Sequence, residues 1–346
     1  MTTLKILTSF KRRLCSDLHP IYRWKKQLED SGILVHTYYD HRDKGLKNTD
    51  TLLIYNRDFK NQFTDTKQLI TALIELKKEV KKLIWFDSAD SSGSMDFEVI
   101  PFVDVFLKKQ VLKDLEYYTG ENGNTQVRIW LDPKAEQKQL IPCPIDMTHK
   151  IKTGWNLSYY DYRPYDARIK QIVSNSLSYK LYPTKFYQAT QPRPLDLTYR
   201  GTLKSNNLIS FQRNKVIGML NELHLNIAHG SIVSQKEYLK ELTKSKVSIS
   251  PFGWGEICYR DFETFICGSI LIKPSMEHVN TFPNIFVKNQ TYIPVQWDLS
   301  DLEEKIVEVI SNHESYTHIA VSGQEAYKRV ISDPDGFIKH LKGIME

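Results

Sequence analysis

Short apolar runs alternate with polar, helix-paced stretches through the first half of the chain. LKILTS, ILVHTYY, TLLIYN, KLIWFD and VDVFLKK are each of strand length, and DTKQLITALIELKKEVKK, ahead of the fourth, puts Leu69, Leu73, Leu76 and Val80 on one stripe at the 3.6-residue period. Such alternation predicts βαβ units and a mostly parallel sheet. From Lys150 to Pro194 the pattern breaks into WNLSYYDYRPYDAR and YPTKFYQATQPRP, rich in aromatics and proline, which predicts the end of a domain and a hinge. A second alternating series follows: LDLTYRGT, the helix SFQRNKVIGMLNEL, LNIAHG, the helix SQKEYLKELTKS, KVSISPF, SILIKP and TYIPVQW.

Two such series in 346 residues exceed what one hydrophobic core usually organises, so two domains with a cleft between them are expected. We place the first at residues 1–190 including the hinge region, the second at 191–332, and a helix at 333–346 that packs back on the first. With 41% hydrophobic and 25% charged residues, disorder is not the expectation. No apolar run approaches the roughly 18 residues of a membrane span, and MTTLKILTSFKRR lacks the apolar core of a signal peptide, so a cytoplasmic protein is expected. Cys15, Cys143, Cys258 and Cys267 form no C-x-x-C pair and read as reduced structural thiols.

The segment SPFGWGEICYRDFETFICGSILIKP, Ser250 to Pro274, concentrates candidate chemistry between two strands. A helix starting near Glu256 or Tyr259 and ending near Gly268 is expected. At about 100° per residue, Arg260 lies about 40° from Glu256 and Glu263 about 20° from it, so a helix containing all three puts them on one face. Phe262, Phe265 and Ile266 then point toward the sheet. Gly253 and Gly255 let backbone amides approach a ligand, and the helix start suits phosphate. Glu263 could accept from a ribose diol, while Arg260 and Lys273 could neutralise a diphosphate. A solvated polar stripe with an incidental Glu–Arg pair is the alternative.

ETFICGSILIKP resembles the helix end and following strand of the donor-binding segment of GT-B glycosyltransferases, in particular the glycosyl transferases group 1-like families. The resemblance places Glu263 at the family's ribose-binding glutamate and Glu256 near its donor-sugar glutamate, with one residue fewer between the two acids than the common pattern. LDLTYRGT and FQRNK resemble the first strand and phosphate-side loop of the donor domain and nominate Arg200, Gly201 and Arg213. The likeness runs from about Asp196 to Leu302. It implies an α/β GT-B fold of two Rossmann-like domains facing a central cleft, with the acceptor side in the first domain and the nucleotide-sugar side in the second. It further implies transfer without a metal or other cofactor, the departing diphosphate being stabilised by arginine, lysine and a helix N-terminus.

On the acceptor side, LIWFDSADSSGSMDF sets Asp87 and Asp90 in a Ser- and Gly-rich loop after a strand, where one could act as general base on an acceptor hydroxyl. Turn and cap roles are the alternative. His229-Gly230 reads as a turn or as a second polar group on the donor side, SDPDG as a turn rather than a metal site, and Tyr159, Tyr160, Tyr162 and Tyr165 as stacking groups or domain-junction packing. The expected function is transfer of a sugar from a nucleotide-diphosphate donor to a hydroxyl of a glycan or lipid-linked acceptor, as in surface polysaccharide assembly. Lys11, Arg12, Arg13, Arg23, Lys25 and Lys26 are close enough together to attract a phosphate-bearing acceptor or an anionic membrane surface, a merely solvated face being the alternative. Transfer to a modified DNA base is an alternative that the net charge of +6 permits. Because bases and acids are interleaved, nucleic acid is disfavoured as a partner. A nucleotide-sugar-binding module without transfer activity is the remaining alternative.

Overall fold

The computed structural model describes residues 1–9, 17–93, 96–121, 139–162, 185–201 and 208–346. Lys11, Arg12, Arg13, Cys15 and Tyr165 lie outside them. The first series folds as β1 (Thr2–Leu7), β2 (Ile33–Tyr38), β3 (Thr49–Tyr55), β4 (Val80–Asp87), β5 (Val105–Lys108), β6 (Gln110–Leu112) and β7 (Ile151–Thr153). Its helices are α1 (His19–Arg23), α2 (Lys25–Asp30), α3 (Asn56–Lys60) and α4 (Thr66–Glu79). Six strands make one parallel sheet in the order β2-β1-β3-β4-β5-β7.

Side chains alternate across that sheet, and both faces are covered, which is why its strands read as continuous apolar runs. Leu52, Ile54, Trp85 and Phe106 pack under Leu69, Leu73 and Leu76 of α4. Leu53, Tyr55, Ile84, Phe86 and Leu107 face the other way. Asp65 starts α4 by accepting from the Gln68 amide at 2.8 Å. Val80, expected on the helical stripe, is instead the first residue of β4; the backbone turns extended there, with φ −132° and ψ 149°.

The second series gives β8 (Leu195–Arg200), β9 (Ile227–Gly230), β10 (Ser245–Ile249), β11 (Ile270–Pro274), β12 (Val279–Thr281) and β13 (Ile293–Val295). The helices are α5 (Leu208–Glu222), α6 (Gln235–Lys244), α7 (Tyr259–Cys267), α8 (Leu302–Ser311), α9 (His313–Ile331) and α10 (Pro334–Met345). A second parallel sheet runs β13-β11-β10-β8-β9. Leu197, Val247, Ile249, Ile270 and Ile272 meet Val216, Leu220, Leu302 and Ile306 on one face, and Leu271 joins Phe262, Phe265 and Tyr327 on the other.

Two connections tie the two sheets into one molecule. β6 and β12 pair as an antiparallel ribbon, Gln110 opposite Thr281 and Leu112 opposite Val279. α10 crosses back and buries Phe337, Ile338, Leu341 and Ile344 against Leu4, Ile6, Ile21 and Trp24 of the first domain. The aromatics of the junction divide accordingly: Tyr159 sits in the first domain's core and Tyr162 in the second's. Among the described residues no helix is long and apolar enough to cross a membrane.

Candidate active site in the interdomain cleft

The carboxyl ends of the two sheets converge on a cavity of about 380 Å³. Tyr55 reaches it from the end of β3, Arg57 from the start of α3, Asp90 from the loop after β4, and Lys109 from the residue after β5. The second domain contributes Arg213 of α5, Gly253, Trp254 and Gly255 of the loop after β10, and Tyr259 at the start of α7. Strand ends of parallel sheets are where open α/β folds bind ligands.

One buried cation organises the acceptor wall. Lys109 is 3% exposed, 2.8 Å from Asp90 and 3.4 Å from Asp17. Burial alone would lower its pKa, but the Asp17 and Asp90 carboxylates outweigh that and raise it, so the ammonium stays charged. Asp17 is held in turn by the Tyr55 hydroxyl at 2.6 Å, and its carbonyl accepts from the Trp155 indole at 2.5 Å. Asp90 keeps 38% of its side chain exposed, so it is the carboxylate presented to the cavity. Arg57, anchored to the Ser88 carbonyl at 3.1 Å, stands 4.0 Å from it.

Asp87 does something else. It is 1% exposed, forms an ion pair with buried Lys108 at 2.6 Å, and accepts from Asn56 at 3.1 Å and the Ala89 amide at 3.0 Å. The expectation that either aspartate could be the base is therefore corrected: Asp87 shapes the loop from beneath, and Asp90 alone of the two lines the cavity.

The donor-side nominations separate in the same way. Arg213, Gly253 and Gly255 line the cavity. Arg200 does not; it holds Glu241 bidentately at 2.9 and 2.6 Å and the His229 carbonyl at 2.6 Å. Lys273 has no exposed surface, with its ammonium 2.7 Å from Asp261 and 2.8 Å from the Glu256 carbonyl. Neither is placed to neutralise a diphosphate in the cleft, which corrects both expectations. α7 begins at Tyr259, so Glu256 belongs to the preceding loop and does not share a helical face with Arg260 and Glu263. Glu256 is buried, and the first domain holds its carboxylate. Glu263 is half-buried one turn beyond Tyr259 and stands outside the cavity lining.

Arg260, the other residue expected to neutralise a diphosphate, also stands outside the lining of the cavity. Its guanidinium lies over the Tyr199 ring at 5.1 Å and donates through Nη2 to the Arg200 carbonyl at 2.5 Å. Among the described residues, Arg260 Nε, the Tyr199 and Tyr238 hydroxyls and His229 Nδ1 are buried without a hydrogen-bond partner. Tyr199 pairs with His229 across β8 and β9, Gly201 follows on from β8, and the Tyr199 hydroxyl would lie 3.0 Å from a Cβ at Gly201. Unsatisfied buried donors are rare and costly. Burial raises the pKa of both tyrosines, which keeps them neutral donors.

Asp17, Tyr55, Arg57 and Lys109 are absent from the sequence-derived site. Their signal was positional: each of the last three stands at or just past the end of an apolar run, as in TLLIYNR and VFLKK.

No family model and no curated protein matches this chain. Solved structures with similar folds include an alpha-glucosyltransferase in complex with UDP and a 13-mer DNA containing a HMU base, with a TM-score of 0.49, 12% identity and 99% of each chain covered. T4 phage BGT in complex with UDP-glucose is similar over 100% of each chain with a TM-score of 0.48 and 11% identity. The expectation that disfavoured nucleic acid is corrected on this point, since the first of these enzymes was solved on DNA.

Proposed function

We propose that this chain transfers a sugar from a nucleotide-diphosphate sugar to a hydroxyl group, and that the hydroxyl is carried on a modified base in DNA. The observation that supports transfer most directly is the cleft cavity, where one accessible carboxylate, Asp90, faces Arg213 and the glycine loop from the opposite domain. Asp90 is set to take the acceptor proton; Arg213 is set to meet the departing diphosphate, as a cation would in a metal-independent route. The unpartnered donors around Arg260 and Tyr199 suit the polar groups of a nucleotide, and Glu263, one turn further along α7, remains the candidate for the ribose. The likeness to group 1-like families bears on this donor side alone.

Two features favour a DNA acceptor over a glycan or a lipid-linked sugar. The cavity rim carries planar groups, with Trp254 59% and Tyr259 44% exposed and Tyr160 5.1 Å from Tyr259. Aromatic faces of this kind stack on any base. The net charge is +6, and Arg57, Lys109 and Arg213 all meet at the cleft.

The test is transfer from radiolabelled UDP-, GDP- and CMP-sugars to three acceptors: duplex DNA with a hydroxymethylated pyrimidine, the unmodified duplex, and oligosaccharide or lipid-linked glycan. Label on the hydroxymethylated duplex alone is expected. Label on the glycans would return the acceptor to polysaccharide assembly. Nucleotide-sugar binding with no turnover would leave a binding module.

A further inference from the structure

We infer that Glu256 is a positioning residue that latches the two domains together and thereby fixes Asp90 over the cavity from the opposite domain. Both carboxylate oxygens are filled by the first domain. Oε2 accepts from the Ser92 amide at 3.0 Å and from Gln110 Nε2 at 3.2 Å; Oε1 accepts from the Ser92 hydroxyl at 2.6 Å and the Ser91 hydroxyl at 3.4 Å. A carboxylate offers about four acceptor sites, so a sugar hydroxyl would have to displace one of these donors.

The latch connects rigid parts on each side. Behind Glu256, its own carbonyl accepts from Lys273, whose ammonium is paired with Asp261 in the first turn of α7. In front, the Ser92 carbonyl accepts from the buried Tyr118 hydroxyl at 2.8 Å, and Gln110, which touches Glu256, also donates to the Asp90 carbonyl. Gly255 completes the contact: a Cβ there would fall 1.6 Å from the Asp90 carbonyl oxygen. Only glycine lets the donor loop lie this close to the Asp90 loop. The four donors are neutral, so the latched carboxylate gives up hydration without gaining an ion pair. A contact of that kind can close on substrate and reopen to release product.

The experiment compares wild-type protein with Glu256→Gln and Ser92→Ala in four measurements. These are amide hydrogen exchange over residues 88–93, radius of gyration by small-angle scattering, affinity for UDP and UDP-glucose, and kcat with the hydroxymethylated duplex. The kinetic arm rests on the transfer reading above; exchange and scattering do not. Both variants are expected to exchange faster over 88–93 and to expand. Their kcat should fall by roughly 10²-fold, the cost of a misplaced reacting group, while both affinities stay near wild type. Loss of UDP-glucose affinity with UDP affinity retained would make Glu256 a sugar ligand and overturn the latch. Unchanged exchange and scattering in folded variants would overturn it equally. A wild-type protein that binds neither UDP nor UDP-glucose would end the transfer reading, and the exchange and scattering results would then decide the latch alone.

Discussion

Asp87 and Asp90 show how far chemistry can be read from single residues. Both follow an apolar strand in the same Ser-rich loop and look alike in sequence. One is sealed against Lys108 and the other is open to the cleft. The partners that decide this, Lys108 and Lys109, are adjacent residues at the end of the next strand over, and which strands become neighbours is a property of topology rather than of the loop. Arg200 and Arg213 pose the same problem: Glu241 occupies the first, and nothing local to either arginine announces that. The two aspartates should therefore respond differently to substitution. Asp90→Asn is expected to lower transfer by roughly 10²- to 10⁴-fold with donor affinity intact. Asp87→Asn strands a buried ammonium and should lower unfolding stability by about 3–5 kcal/mol. Urea denaturation beside a transfer assay checks both; similar losses of transfer at full stability in the two variants would contradict the division.

At the level of elements, the strands of both large sheets other than β7 were legible as apolar runs, whereas β7, the three residues IKT inside the expected hinge, has no such run; α7 ends at Gly268 with φ 71° as its glycine suggested. The start of α7 was less legible. It is set by Asp261, which accepts from the Cys258 amide at 3.1 Å and the Ser250 hydroxyl at 2.5 Å while pairing with Lys273. A capping acid that also neutralises a buried lysine from the next strand has no short-range signature. Asp261→Ala should therefore remove a cap and leave Lys273 unpaired, costing about 3–5 kcal/mol, far more than an exposed cap would. A urea midpoint close to wild type would rule this out. The β6–β12 ribbon was not legible either, since Gln110, Asn280 and Thr281 give its short strands no apolar pattern and its partners lie far apart in the chain.

For the whole molecule, buried histidines set a direction for the effect of acid. Burial lowers His278 to about 4 and also lowers His313 and His340. Free histidine titrates near 6.5, so as pH falls the unfolded chain takes up these protons first. Stability is then complete above about pH 6.5 and declines from there toward about pH 4. The melting temperature should fall between pH 7 and 5, and His278→Gln should flatten that slope; a melting temperature that rises on acidification would reverse the sign. The helix that crosses between domains bears on how the protein is made. Phe337, Ile338, Leu341 and Ile344 cover a sheet face built from Leu4, Ile6 and Leu53. A ribosome exposes those strands first and delivers their cover only after the whole second sheet has been synthesised. The usual order, in which the domain made first folds first, cannot run to completion here. The second sheet holds its own strands and can close while the face of the first beside Ile21 and Trp24 is still partly uncovered. In the cell that interval is when a chaperone would be needed, and its length is set by the translation of everything between Leu107 and Phe337.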